Sequence, residues 1–447
     1  MCGIVGYLGP SAAAPILLSE LKCLEYRGYD SAGIAIMENG NLTIVKAAGK
    51  LSNLEQLLKE KAPKATAGIG HTRWASHGEP NNENAHPHTD CTGKIAVVHN
   101  GIIENFESLR DELISRGHHF SSDTDTEILA HLLEEEFRAQ GDMVKALQTM
   151  VLKIEGAYAI GVINQAVPGK LYAVNGHYSL AVGLKDNESY LASDSVAVRQ
   201  YTNKVLRIGQ GEIAEINANG ACLFSFNGDR VERRPLLLET DPFVLSKEGY
   251  KHFLLKEIHE QPLSMRQTLS KYLDHLTREI NFNIEAGSSD IAYGVRLSGQ
   301  EIQQMHRIQI LACGTALHSG MVGKYIIEDL SGIPTEVQIA SETRGRQILA
   351  DRNTLTIAVS QSGETADTLA AVESAKKSGS LILGITNRPD SHLAQISPNL
   401  IVTECGVEVS VASTKTFVAQ LAAFYLLGIW LAEQKGTLTP EKADALK

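Results

Sequence analysis

Two rhythms of apolar residues divide the chain. Up to about residue 240 they fall in short runs: IVGYL (4–8), SAGIAIM (31–37), LTIVKAAG (42–49), KIAVVHNGII (94–103), AYAIGVI (157–163), KLYAV (170–174), YLAS (190–193) and EIAEI (212–216). Runs of this length bounded by turn residues predict strands. Helical spacing interrupts them over 104–116 and 123–140, where DTDT stands ahead of the apolar period as a helix cap would. Many strands with only two helices predict a layered α+β domain on antiparallel sheets.

The second half reads differently. YKHFLLKEIHEQPLSMRQTL (250–269) is helical and polar, and predicts a packed bridge over 241–300. From 307 onward RIQILACG, TEVQIAS, LTIAVSQSG, SLILGITN and NLIVTECG alternate mostly with helix-length segments. That pattern predicts an α/β three-layer domain on a five-stranded parallel sheet. The expected division is therefore 2–240, 241–300 and 301–447. The longest apolar run, LAAFYLLGIWLA (421–432), is too short for a bilayer and predicts a core or interface helix.

Charge narrows the partners. A net charge of −11, with no Lys/Arg run, argues against nucleic acid or an anionic membrane. No basic region precedes the first apolar stretch, so no secretory leader is expected. Six cysteines, at 2, 23, 91, 222, 313 and 405, have neither metal nor disulfide spacing, as expected of a reducing cytoplasm.

Cys2 is the sharpest chemical signal. Removal of Met1 would give it a free α-amine beside its thiol. Their ordinary pKa values, about 8 and about 8.5, make the amine a matched internal base for the nucleophile. Around it stand EYRGYDSAG (25–33), GHTRWASHG (70–78), HPH (86–88), VVHNGIIEN (97–105) and DTDTE (123–127). With MCGIVG, this ordered set resembles the glutaminase domain of class II, N-terminal-nucleophile amidotransferases, over about residues 1–240. The resemblance implies that Cys2 attacks the side-chain amide of L-glutamine and that Asn100 and the Gly101 N–H form the oxyanion hole. It implies Arg73 for the α-carboxylate and Asp125 for the α-ammonium. Trp74, Ser76 (threonine in the family), His77 and His86 complete the glutamine pocket. Taken without the resemblance, His71, His77, His86, His88 and Cys91 form a competing zinc-ligand set, although no HExxH or CxxC spacing supports it.

The second constellation is a set of hydroxyls. ACGTALHSG (312–320) and SQSGETADT (360–368) each place Ser or Thr with Gly at the end of an expected strand and the start of a helix, a setting suited to phosphate. With GVEVSVASTKTF (406–417) they resemble the first sugar-isomerase (SIS) domain of the glucosamine-6-phosphate synthase family. That resemblance implies Thr315, Ser360, Gln361, Ser362, Thr365, Val411 and Ser413 as sugar-phosphate contacts. It implies transfer of nitrogen from glutamine to fructose 6-phosphate by a homodimer, with the 413–434 helix an interface candidate, and with no metal, nucleotide or other cofactor. Ala316 and Leu317 stand where the family has a serine and an aromatic. SETRGR (341–346) stands for SEFRYR, and NGHYSL (175–180) for RxGSPL. No second SIS domain is matched before Lys447, so glutamine hydrolysis and part of the sugar-phosphate site are expected of these residues. The alternative is a truncated paralogue that binds or senses sugar phosphate without synthase activity.

Overall fold

The computed structural model describes residues 2–38, 40–61, 65–75, 77–238, 247–284, 293–343, 346 and 348–447. It divides into two compact units, 1–245 and 246–447.

The first unit is a sandwich of two antiparallel sheets. One has eight strands, in the order Leu236–Leu237, Lys204–Ile208, Leu180–Lys185, Glu188–Ala192, Gly3–Leu8, Ala67–Arg73, Ser31–Glu38, Asn41–Ala48. The other has seven: Arg230–Val231, Gly220–Ser225, Glu212–Asn217, Leu171–Asn175, Gly156–Asn164, Ile95–Ile103, His88–Thr89. Alternation along Gly3–Leu8 explains why every residue in that strand is buried. Ile4 and Leu8 enter the layer between the sheets with Ile69, Val98 and Ile163. Val5 and Tyr7 point outward into a second core with Leu17, Leu21 and Leu54.

Helices cover both outer faces. Phe106–Ser115 and Glu127–Gln140 match the predicted segments. Three more, Ala13–Leu24, Leu51–Lys61 and Met143–Val151, were not foreseen. Leu51, Leu54 and Leu58 form a one-sided stripe, enough for a helix against a sheet. Pro15 sits in the first turn of its helix, where a missing N–H costs little.

The second unit is three-layered. Its five parallel strands run Thr335–Ile339, Arg307–Ala312, Thr354–Val359, Leu381–Thr386, Asn399–Val402. The order, 2-1-3-4-5 in chain sequence, puts the topological switch between the first and third strands. On one face Phe424, Leu427, Ile327 and Tyr272 pack over Ile310, Ile357 and Ile385. On the other, Leu369, Val372 and Leu393 cover Leu311, Ala358 and Ile382. The apolar run at 421–432 lies in a 21-residue helix, Lys415–Lys435. By length and composition alone that helix could cross a membrane, but it is largely buried within its own unit. Its apolar surface is thus core, and among its large apolar side chains only Tyr425 is exposed.

Candidate functional site

Cys2 immediately precedes a central strand of the eight-stranded sheet. Gly3 pairs with Thr72 on the neighbouring strand, which fixes where that strand ends relative to the thiol. The next residues, Arg73 and Trp74, therefore emerge beside Cys2. Its Sγ accepts the Trp74 N–H at 3.3 Å and faces the Trp74 carbonyl at 3.6 Å. Burial raises the Cys2 pKa, while the Trp74 backbone and the Arg73 charge oppose the rise.

Asn100 approaches from the other sheet. Its Nδ2 donates to the Cys2 carbonyl at 3.2 Å, and its Oδ1 lies 3.0 Å from His71 Nε2. Burial lowers the His71 pKa to about 3, so the ring is neutral. A neutral ring donating from Nε2 fixes the Asn100 amide with its NH₂ toward Cys2. His71 is thus a positioning residue rather than a metal ligand. His86 stacks on it at 4.2 Å and accepts the His99 N–H at 3.4 Å, so it packs behind His71. His88 bonds Thr124 at 3.0 Å. The histidines of the sequence-derived zinc set therefore serve other contacts, and Cys91 lies elsewhere with a different group.

Gly101 has φ +124°, a conformation that favours glycine, and a Cβ there would collide with the Ala157 carbonyl. Gly101→Ala should lower Tm of the folded protein by roughly 2–10 °C, from a strain of about 1–3 kcal/mol. A thermal scan showing an unchanged Tm would remove that reading.

Arg73 is buried at the end of its strand. It donates to the carbonyls of His77, Gly78 (3.3 Å) and Glu79 (3.2 Å), which ties the 77–79 segment to the strand end beside Cys2. The His77 ring packs on Phe106 with centroids 5.0 Å apart. Trp74 is 40% exposed, edge-on to Tyr29. Ser76 lies outside the described residues.

The DTDTE turn corrects the expected helix cap. Thr126 caps its helix without a side-chain bond and instead meets His99 Nδ1 at 2.9 Å. The Asp125 carboxylate accepts the Ile103 N–H at 2.8 Å and lies 4.0 Å from His99 Nδ1. These side chains bind the turn to the strand bearing Asn100 and Gly101, and so fix the position of Asp125.

In the second unit Ala312 pairs with Val359, so Cys313 and Ser360 leave adjacent strands at one level, at the switch point. Two helices, Gly314–Ser331 and Ala366–Lys377, start there, with Thr315 and Thr365 in or next to their first turns. Their N-terminal N–H groups favour an anion. Thr365 does not cap its helix by side chain; its hydroxyl meets that of Ser360 at 2.9 Å. Ser360 Oγ also accepts the Gly363 N–H (3.0 Å), and Ser362 Oγ the Glu364 N–H (3.2 Å). The Gln361 carbonyl accepts the Asn387 N–H at 3.1 Å. Val411 is exposed and Ser413 half-buried on the loop before Lys415–Lys435.

Two residues that sequence reasoning missed organise this loop. Buried Glu257 accepts the Val409 and Ser410 N–H groups at 2.6 and 3.2 Å. Asn387 binds Cys405 N–H (3.2 Å) and the Gly406 carbonyl (2.6 Å). The only sequence signal was a Glu interrupting the helical run FLLKEI.

A glutamine amidotransferase domain model matches residues 71–200, and an SIS domain model matches residues 301–429. The glutamine–fructose-6-phosphate aminotransferase (isomerizing) of Symbiobacterium thermophilum is 45% identical over 446 residues, covering 100% of this chain and 71% of that protein. That of Gloeobacter violaceus is 46% identical over 443 residues, covering 99% and 70%. The solved C-terminal domain of a glucosamine-fructose-6-phosphate aminotransferase from Francisella tularensis is 36% identical, covering 45% of this chain and 52% of that one, with a TM-score of 0.39.

Proposed function

The chain belongs to the glutamine–fructose-6-phosphate aminotransferase (isomerizing) family, and from that premise we propose roles for its two sites. The reaction is that of a class II glutamine amidotransferase, moving the amide nitrogen of L-glutamine to D-fructose 6-phosphate to give D-glucosamine 6-phosphate and L-glutamate, and the residues of this chain supply its glutaminase and part of its sugar-phosphate site. The alternative, a sugar-phosphate-binding paralogue without transferase chemistry, is not favoured, because relatives matched along the whole chain are named as aminotransferases.

Once Met1 is removed, the α-amine of Cys2 takes the thiol proton and the thiolate adds to the glutamine amide carbon. The oxyanion formed accepts from Asn100 Nδ2 and the Gly101 N–H. The C–N bond then breaks, ammonia leaves with the proton held by the amine, and water cleaves the glutamyl thioester to release glutamate. Arg73 pairs with the substrate carboxylate and Asp125 with its ammonium, while Trp74, Ser76, His77 and His86 line or back the pocket. One observation carries this reading: the Cys2 thiol, the Asn100 amide and Arg73 meet at the end of one central strand. The test is release of glutamate from glutamine by the purified chain beginning at Cys2. Absence of glutamate from folded protein lacking Met1 would overturn it.

For the sugar, Thr315, Ser360, Gln361, Ser362 and Thr365 surround the phosphate, with Val411 and Ser413 on the adjoining loop. The hydroxyls at the switch point, beside two helix N-termini, support this assignment. A hydrogen bond to a charged group contributes about 1.5–3 kcal/mol. Thr365→Val keeps the shape and removes the hydroxyl, so it should weaken fructose 6-phosphate binding by about tenfold or more. Calorimetric titration checks this, with an unchanged KM for glutamine as the control.

The reading includes a glutaminase domain over 2–240, a bridge over 241–300 and an SIS domain over 301–447. Tyr272, Phe282 and Leu297 in the second unit's core support treating the bridge as a fixed part of the sugar-binding half. It also includes a homodimer. Met321, Val322 and Tyr325 are exposed on Gly314–Ser331, as is Tyr425 on the helix packed against it, which supports an apolar contact there. Sedimentation of wild type against Tyr325→Glu tests that element. Six free cysteines support a reducing compartment such as the cytoplasm.

A further inference from the structure

We propose that Cys91, His118, His131 and Glu134 bind one zinc ion, at a structural site separate from both substrate sites. The four come from three segments. Cys91 lies in the turn between His88–Thr89 and Ile95–Ile103, His118 follows the helix Phe106–Ser115, and His131 and Glu134 share one face of Glu127–Gln140. Their ligand atoms all lie within 4.8 Å of one another.

Five of the six spacings are close to those of a tetrahedron, and the sixth, Cys91 to Glu134, is within 4.8 Å. Cys91 Sγ is 3.5 Å from Nδ1 of both histidines, and the two Nδ1 atoms are 3.2 Å apart. Glu134 Oε2 is 3.4 Å from His118 Nδ1 and 3.9 Å from His131 Nδ1. A tetrahedron's edge is about 1.63 times its centre-to-vertex distance. Zinc–ligand distances of about 2.0–2.3 Å therefore give edges of roughly 3.3–3.8 Å. Five measured edges fall in or beside that range; Glu134 Oε2 also accepts the Cys91 N–H at 3.2 Å, which leaves its other lone pair for the ion.

The outward side of each ring fits as well. A histidine that binds metal through Nδ1 carries its proton on Nε2, which needs an acceptor. His118 Nε2 faces Glu135 at 3.3 Å, and His131 Nε2 faces Glu127 at 3.7 Å. His118 thus has a carboxylate within hydrogen-bond distance behind it, and His131 has one just beyond that distance, with its Nε2 buried and otherwise unpartnered. Glu127 is itself oriented by the N–H groups of Ser121 (2.8 Å) and Ser122 (2.7 Å). One thiolate and one carboxylate neutralise the dication, and binding releases the thiol proton to solvent. One sulfur, two nitrogens and one oxygen suit zinc, and four protein ligands leave no open position, which marks a structural site. His118 and His131 are buried while Cys91 is exposed, which gives the ion a way in. The ion would tie the turn before the Asn100 strand to the helix that starts two residues after Asp125.

Metal content tests this independently of activity. Wild-type chain, dialysed without chelator, is expected to hold about one zinc by atomic emission. After exchange into cobalt it should show thiolate-to-cobalt charge-transfer absorption. Cys91→Ser, at an exposed position that should not compromise folding, is expected to abolish that absorption and to weaken zinc binding at least tenfold. Glu134→Gln should weaken binding while keeping the absorption. Less than roughly half an equivalent of zinc in folded wild type would overturn the proposal. Equal zinc retention by wild type and Cys91→Ser would do the same, as would another metal at full occupancy.

Discussion

Cys2→Ala is expected to abolish glutamate release from glutamine, a loss on the order of 10⁴-fold or more, with Tm essentially unchanged. The reason lies in how little else depends on the sulfur. Among the described residues, the hydrogen bonds of Sγ go to the Trp74 backbone, and Asn100 is held by the Cys2 carbonyl, which alanine retains. An electrophilic glutamine analogue should modify only the terminal peptide of wild type, and nothing in the variant. What singles out Cys2 is its partner, not an intrinsically acidic thiol. Burial raises its pKa, as it raises those of Cys23 and Cys405, both to about 11. A raised thiol needs a base within reach, and only the thiol at position 2 gains an α-amine from the same residue. Two consequences follow. Protein that retains Met1 should be as inactive as the alanine variant, and should stay unlabelled when separated by mass. Hydrolysis should also fall as pH drops below the amine's ordinary value of about 8, because protonation removes the base. Labelling at Cys91 or Cys313 would sink the assignment.

Much of this architecture can be read from the residues. All eight predicted runs of the first unit and all five of the second are strands, because each is a short apolar run, whereas the fully buried strand Ala67–Arg73 escaped notice because AGIGHTR carries glycines and polar residues. The helices at 13–24 and 51–61 were hidden because their apolar residues merge into, or are outnumbered beside, neighbouring strands. The terminal thiol and the hydroxyl turn could be singled out in the sequence because each is local to a few consecutive residues; their roles are proposals. The proposed zinc ligands could not be singled out in this way. Local spacing grouped Cys91 with His71, His77, His86 and His88, whereas the fold carries it to His118 and His131. Asn100 could be named from its motif, but its orientation by His71 depends on two sheets meeting. Glu257 and Asn387 were missed for the same reason, since each acts on a loop remote in sequence.

Arg73→Ala should weaken glutamine binding by about 2–5 kcal/mol, since one buried charge would lose its partner, and should leave fructose 6-phosphate binding nearly unchanged. Arg73 lies 3% exposed at the end of its strand, where burial lowers its pKa and Cys2, Asp125 and Asp30 oppose the shift. Its contacts in the structure are the carbonyls of 77–79, weaker acceptors than a carboxylate. A substrate carboxylate would therefore compete well for the guanidinium, with the same segment closing around it. Because Arg73 also braces that segment, loss of affinity alone would not separate ion pairing from a loosened wall. Decarboxylated glutamine, 4-aminobutyramide, makes the distinction. Wild type should discriminate strongly against it, and Arg73→Ala should lose most of that discrimination, because without the guanidinium the carboxylate of glutamine has no partner to prefer. Asp125→Asn should behave differently, since it removes the ammonium's counter-charge while an amide oxygen can still accept the Ile103 N–H. That variant should keep its preference for the carboxylate while KM for glutamine rises. If Arg73→Ala discriminates between the two amides as sharply as wild type does, Arg73 braces the pocket without reading the carboxylate.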